Sequence, residues 1–278
     1  ADMVTGCDTT LAQVAAECLG CELDDIVVFG ADTDISPYDS GSYASSTAYL
    51  TGTAVVKTCE ALKEKILHKA AKYLETGAEE LEFDGRRVYK LSCGEDGAAK
   101  EITIKDLANR VQCANEDALQ VTQSHSSPIS PPPFMAGAAE VEVDLETGQV
   151  ELIKFAAAVD CGTPLNENLA RVQTEGGLVQ GIGMALYEDV SYSKDGKVHE
   201  NSFMQYKVPS RLDVGRVQVE FESSFEPTGP FGAKSIGEVV INTPSPAIAN
   251  AVYNAVGVRI RELPITAEKV FKGMNGLD

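Results

Sequence analysis

The sequence predicts an α+β fold in two subdomains of mixed sheets and helices, and three observations carry that reading. Apolar residues recur at helical spacing through a long central segment, 47–75. Apolar and polar residues alternate on either side of tight-turn residues, once around Asp84-Gly85 and again around Glu146-Thr147-Gly148. Between these regions lies SHSSPISPPPF, 124–134, whose prolines forbid a regular element and after which the pattern restarts. The expected organisation is a first subdomain over 1–123, a proline-rich connection over 124–134, and a second subdomain over 135–278.

Each element can be justified in order. Thr9 or Thr10 is placed to cap a helix whose apolar positions Leu11, Val14, Ala15 and Cys18 precede a stop at Gly20. A short apolar strand is expected at 26–29. The following GADTDISPYDSGSYASS, 30–46, is rich in Asp, Ser, Gly and Tyr and reads as a long ordered loop, a kind of segment that often carries function. In the helix over 47–75, Val55, Leu62, Ile66 and Ala70 share one face and Gly77 lies just past the end. LEFDGRRVYKL then reads as a hairpin, and a small strand and helix run to Cys113. Beyond the prolines come two long strands, a glycine-rich helix over 172–190, a hairpin at Lys194-Asp195-Gly196, a strand at 217–222 and a helix from about 245 to 256.

Composition excludes several functions. The chain has 23 basic against 42 acidic residues, a formal net charge of −19, which repels nucleic acid and anionic lipid. Neither nucleic acid nor a membrane is an expected partner, and an anionic ligand would be held locally by backbone N–H groups, hydroxyls and helix termini. No apolar run reaches membrane-spanning length and ADMVTGCDTT carries no export signal, so a cytoplasmic location is expected. The cysteines Cys7, Cys18, Cys21, Cys59, Cys93, Cys113 and Cys161 are odd in number and scattered, which fits reduced thiols.

Other motifs fail on spacing. Asp32, Asp34 and Asp39 suggest a calcium loop, but Pro37 and Tyr43 stand where an EF-hand needs Gly and Glu. GPFGAKS breaks the Gly-Lys pair of a phosphate loop with Ala233. Gly181-Ile-Gly183 has Leu186 at the third glycine position of a dinucleotide fingerprint, and helix packing explains its glycines better. Cys18 and Cys21 have a metal-pair spacing without a second pair, so Cys18 reads as a core cysteine. His68, His125 and His199 lie far apart and form no catalytic pattern.

What remains is GPFGAKSIGEVVINTPSPAIANAV, a glycine-flanked loop carrying one carboxylate, Glu238, into an apolar stretch. Burial there would raise its pKa and make it a general base near neutral pH. The same residue could instead be a first-turn glutamate favoured by a helix dipole.

GAKSIGE resembles the catalytic loop of the xanthine dehydrogenase and aldehyde oxidoreductase family, with Glu238 matching the essential glutamate. The block VEVDLETGQVELIKFAAAVDCGTPLNENLARVQTEGGLVQGIGMALYED is similar to the family's preceding region, and there Gln173 matches a cofactor-contacting glutamine. GADTDISPYDSGSYASSTAYLTGTAV resembles the family's pterin-binding loop, which places Ala44, Ser45, Ser46 and Thr47 against the cofactor. The resemblance extends the cofactor-binding set to Lys234, Thr5 and Gly6 and implies no metal ligand among the side chains. Two departures stand out: Val4-Thr5-Gly6 replaces the usual Gly-Gln-Gly, and Val239 replaces the proline that often follows the catalytic glutamate.

The resemblance implies the fold of the family's C-terminal molybdopterin-binding domain. It implies a molybdenum-molybdopterin cofactor, in the cytosine dinucleotide form, with a terminal sulfido or selenido ligand. Within the family, a chain consisting of this half resembles the medium molybdopterin subunit of bacterial nicotinate dehydrogenases. The expected partners are then a large molybdopterin subunit, an FAD subunit and a [2Fe-2S] subunit, with NAD(P) as final acceptor. The expected reaction is hydroxylation of an N-heteroaromatic C–H with oxygen from water, nicotinate giving 6-hydroxynicotinate and Glu238 serving as base. Purine (xanthine) or aldehyde oxidation, and a non-catalytic assembly role, are the alternatives.

Overall fold

The computed structural model describes residues 2–91 and 100–277, so Cys93 lies outside the described residues. The chain divides into two compact units, Ala1–Ser130 with Glu226–Ala233, and Pro131–Phe225 with Lys234–Asp278. The proline-rich segment thus lies where the chain first passes between units, and the first unit takes back a short strap much later.

In the first unit, α1 (Cys7–Leu19) begins earlier than Thr9 or Thr10 would have capped it. The cap is Gly6, in the left-handed region at φ 79°, and Thr10 Oγ1 donates back to the Gly6 carbonyl at 3.2 Å. Gly20 ends the helix as expected, at φ 73°. The strand expected at 26–29 does not form: the segment joins no sheet, and Val27 and Phe29 are exposed. An apolar run becomes a strand only where a second strand supplies its ladder, and none pairs with it here among the described residues.

The long central helix starts as a π-helical turn, Thr47–Thr51, and continues as α2 (Gly52–Leu74). Its left-handed terminal residue is Glu75, at φ 51°, ahead of Gly77. Ile66 and Ala70 are buried and Val55 and Leu62 half-buried, the face that the spacing predicted. The hairpin forms as β1 (Leu81–Phe83) and β2 (Arg87–Lys90), and β3 (Glu101–Thr103) completes an antiparallel sheet. Asp84 Oδ1 accepts from the N–H groups of Arg86 and Arg87 at 3.0 and 2.9 Å, which closes the turn. Thr103 caps α3 (Ile104–Cys113) by accepting from Asp106 N–H. Ile66, Leu74, Phe83, Val88, Leu107 and Val111 form the core. Glu116, pulled down to about 2 by Lys69, Lys72 and Tyr73, ties the end of α3 to α2.

The second unit is built on β4 (Phe134–Val143), β5 (Val150–Asp160) and β6 (Arg216–Phe221). Strands β4 and β5 pair antiparallel through the predicted turn, where Asp144 Oδ1 accepts from Glu146 and Thr147 N–H. Strand β6 joins β5 in parallel, and the crossover between them contains α4 (Glu167–Leu186). Asn166 caps α4 by accepting from Leu169 N–H at 3.0 Å. The hairpin at 194–196 is a single bridge between Tyr192 and Val198. The last helices are α5 (Pro244–Val256) and α6 (Ala267–Met274). Phe155, Val159, Leu178, Ile182, Ile248, Val252 and Val270 fill the core. This is the mixed architecture that the sequence predicted. Among the described residues no helix is long and apolar enough to cross a membrane.

Candidate functional site

In the second unit, β5 and β6 run parallel, and the loops leaving their carboxyl ends, 161–166 and 222–243, carry most of that unit's polar candidates. In parallel sheets this end is where ligands most often bind, because crossover helices leave a crevice there. Glu238 lies in the second loop, in a turn just before the short 3-10 helix Val239–Ile241.

What fixes that turn is helix α4. A Cβ at residue 177 would lie 2.2 Å from Val240 Cγ2, and one at residue 181 would lie 2.6 Å from Pro244 Cγ. The glycines let the segment after Glu238 lie directly on the helix, and at Gly181, which meets the first residue of α5, this is the packing role that the sequence assigned. Gln173 precedes Gly177 by one turn on the same face and is half-buried, whereas Gly176 faces open space. The adjoining face of α4, with Thr174, Leu178, Ile182 and Ala185, is fully buried.

One expectation fails. Glu238 is exposed in this chain, so the burial expected to tune it is not supplied by its own fold. Burial is a tertiary property that an apolar sequence neighbourhood does not guarantee.

Lys234 is the buried charge of the loop. Its Nζ lies 2.8 Å from Asp160 Oδ2 and 5.3 Å from the centre of the Phe134 ring, and its N–H donates to the Cys161 carbonyl at 2.8 Å. Asp160 Oδ1 accepts from Ser224 Oγ at 2.6 Å and from Gly162 N–H at 3.0 Å. Burial pushes the Asp160 carboxyl upward, but Lys234, Ser224 and the Gly162 N–H outweigh it and hold the carboxyl below its ordinary value. Burial pushes the neighbouring Cys161 thiol up to about 11. The sequence reading missed Asp160 and Ser224. The available signal was a lone aspartate ending an apolar strand just before Cys161-Gly162.

In the first unit, Ala44 and Ser45 both adopt positive φ, at 52° and 55°, a conformation uncommon outside glycine and worth attention where it recurs. Ser46 Oγ donates to the Tyr43 carbonyl at 2.9 Å, and Ser42 Oγ and Thr47 Oγ1 share a hydrogen bond of 2.5 Å. The loop delivers these hydroxyls to the start of the long helix, whose first-turn N–H groups lack intrahelical acceptors. Thr5 is exposed and Gly6 half-buried at the start of α1, which packs against the segment Thr47–Thr51. Tyr49 is buried, and its hydroxyl reaches Thr228 Oγ1 at 2.8 Å and Ser127 Oγ at 3.2 Å. It fastens the strap Glu226–Ala233 to the same unit, a contact that the sequence reading also missed.

The structure thus groups Thr5, Gly6 and Ala44 to Thr47 within one unit, and Gln173, Lys234 and Glu238 within the other. The remaining candidates have structural employment. Asp32 and Asp39 close turns by accepting from the N–H groups of residues 34 and 41. Cys59 beside Cys18 is pushed up to about 11, chiefly by burial. Cys18, Cys21, Cys59, Cys113 and Cys161 are free thiols, and the Cys7 thiol donates to Asp2 Oδ1 at 3.3 Å. His68, His125 and His199 pair with Glu64, Lys57 and Ser191.

Residues 1–215 match the family model of the molybdopterin cofactor-binding domain. The chain belongs to that family. This molybdopterin-binding chain is 34% identical over 276 residues to the probable hypoxanthine oxidase of Escherichia coli, covering 99% of this chain and 28% of that protein. It is 31% identical over 285 residues to the nicotine 6-hydroxylase large subunit of Paenarthrobacter nicotinovorans, covering 98% and 34%. Among solved structures, Cu,Mo-CO dehydrogenase superposes with a TM-score of 0.86 at 29% identity, covering 99% of this chain and 35% of that one. Quinoline 2-oxidoreductase from Pseudomonas putida 86 superposes at 0.83 and 26%, covering 100% and 36%. The molybdopterin-binding chain therefore spans about a third of the length of the relatives it matches.

Proposed function

We propose that the chain is a subunit of a molybdenum hydroxylase in which Glu238 is the catalytic base. The observation that carries this is the placement of Glu238: an exposed carboxylate in a turn of the loop that follows the parallel strand β6, with the residues just after it, Val240 and Pro244, packed onto α4. An exposed side chain on an anchored loop can meet a substrate in fixed geometry.

The donor set fits an anionic pterin in an acidic protein. Hydroxyls of Ser45, Ser46 and Thr47, the backbone of Ala44, Thr5 and Gly6, and the amide of Gln173 offer neutral hydrogen-bonding groups, and the start of the long helix offers its dipole. Lys234 belongs to the set by resemblance, but its ammonium is already engaged by Asp160. The molybdenum cofactor, when bound, supplies two-electron oxidation with oxygen from water. Glu238 takes the proton from the attacking oxygen, and Gln173 orients the cofactor.

The substrate class we propose is an N-heteroaromatic ring, with nicotinate converted to 6-hydroxynicotinate. Similarity to relatives named for nicotine and quinoline supports it. A purine is the second reading, favoured by 32% identity over 271 residues to the molybdenum-binding subunit of an Escherichia coli xanthine dehydrogenase. We further propose a cytosine dinucleotide cofactor with a sulfido or selenido ligand, and partners comprising a large molybdopterin subunit, an FAD subunit and a [2Fe-2S] subunit. Exposed Phe203, Met204 and Leu212 on the second unit are apolar area that such a partner would cover. The test is to purify the chain with its partners, measure molybdenum, and assay nicotinate, xanthine and an aldehyde side by side. Turnover of nicotinate alone supports the reading, and turnover of xanthine alone replaces it with the second.

A further inference from the structure

The loop that carries Glu238 is anchored on both sides of that residue. Beyond it, Val240 and Pro244 rest on the two glycines of α4. Before it, Lys234 is fixed by its backbone and its side chain at once, the N–H to the Cys161 carbonyl and the ammonium to Asp160. The side chain of Lys234 is only 7% exposed. A buried ammonium is costly without a partner, and its position is then dictated by that partner.

Asp160 dictates strongly, because its two oxygens receive three donors from both loops that leave the parallel strands: Gly162 N–H, Ser224 Oγ and Lys234 Nζ. Gly162 lies in the turn into α4, Ser224 at the start of the loop 222–243, and Lys234 in the same loop four residues before Glu238. The carboxylate cannot follow Lys234 if the loop shifts without giving up its other bonds. An apolar residue at 234 would fill the space but would not specify a unique register for the loop.

We propose that Asp160 and Lys234 form a positioning pair for Glu238, and that Lys234 serves the site through this pair rather than by gripping the cofactor. The inference rests on the assignment of Glu238 as base. A loop free to move by about an ångström loses on the order of a hundredfold in rate even when every reacting group is present.

The test uses the purified complex with Asp160→Asn and Lys234→Met combined. This double variant removes both charges together, leaves an amide to accept from Gly162 and Ser224, and leaves no buried ion uncompensated. Replacing both partners of a buried pair is often neutral for stability. Melting temperature and molybdenum content are therefore expected near wild type. Turnover per molybdenum, with whichever of nicotinate or xanthine the wild-type complex oxidises, is expected to fall about ten- to a hundredfold with KM within about twofold. Amide exchange at 235–239, read in complex stripped of cofactor, is expected to quicken while the β5 amides stay protected.

Turnover per molybdenum within about twofold of wild type, or unchanged exchange at 235–239, would overturn the proposal. Should the double variant fail to assemble, Ser224→Ala removes a single donor from Asp160 and reads the same quantity. A fall of about two- to fivefold at normal molybdenum supports the pair, and no change refutes it. Glu238→Gln run in parallel separates the failures. If that variant stays active, the base assignment has failed; if it is inactive while the double variant behaves as wild type, only the positioning pair has failed.

Discussion

Residues 30–47 and 222–244 both carry candidate site residues outside regular strands, yet the side-chain bonds that shape them differ in range. In the first, Asp32, Asp39, Ser42 and Ser46 bond to groups two to five residues away along the chain. In the second, Asp160 reaches Lys234 across 74 positions and Ser224 across 64, and α4 receives Val240 and Pro244. Short-range bonds shape the first loop, whose tie to its unit comes just beyond it through the buried Tyr49 to Ser127 and Thr228, whereas long-range bonds reach into the second loop itself. The contrast suits the proposed division of labour, since a cofactor can order the hydroxyl loop when it binds, but a base must stand in place beforehand.

The largest effect on this contrast is expected from Gly177→Val. Its Cβ alone would collide with Val240 Cγ2, so the segment after Glu238 must lift from α4. Overpacking of this kind costs about 1–3 kcal/mol of stability. Turnover per molybdenum is expected to fall more than tenfold, on the order of the penalty for a misplaced reacting group. A calorimetric melt and a molybdenum-normalised assay check it, and a variant with wild-type melting would show that the glycine contact does not hold the loop.

Smaller effects are expected from Ser45→Ala, Thr47→Val and Gln173→Leu. Each removes a neutral hydrogen-bonding group, worth roughly 1–3 kcal/mol where it meets a partly buried partner. Cofactor retention through gel filtration is expected to drop more than turnover per bound molybdenum. Full retention by all three would remove these residues from the cofactor site.

The smallest is Gly176→Ala. Nothing lies within 4 Å of a Cβ there, in contrast to its neighbour. Helix propensity then predicts a stability, read from the melt, that is unchanged or raised by up to about 1 kcal/mol, because alanine loses less backbone freedom than glycine. A clear destabilisation would mean that the open side of α4 is packed in the assembled protein.

Legibility in the sequence followed the range of the interactions. The central helix, the hairpin at Asp84-Gly85, α3 and the pairing of β4 with β5 were readable because period and turn chemistry are local. The stretch 26–29 was misread because a strand needs a partner that its own residues do not reveal. The start of α1 was misplaced because a left-handed glycine, rather than a threonine hydroxyl, caps it. Glu238 could be singled out from its loop motif, but its exposure could not, and neither could the return of Glu226–Ala233 to the first unit through Tyr49 and Thr228. Asp160 escaped notice because its partners lie far along the chain.

The central claim is that Glu238 is the base, and Glu238→Gln tests it most directly because the change removes a proton acceptor while keeping shape. In the purified complex, molybdenum content and assembly are expected to match wild type. Turnover per molybdenum is expected to fall by about a hundred- to ten-thousandfold, the usual contribution of a general base. A variant retaining more than about a tenth of wild-type turnover at full molybdenum would contradict the account.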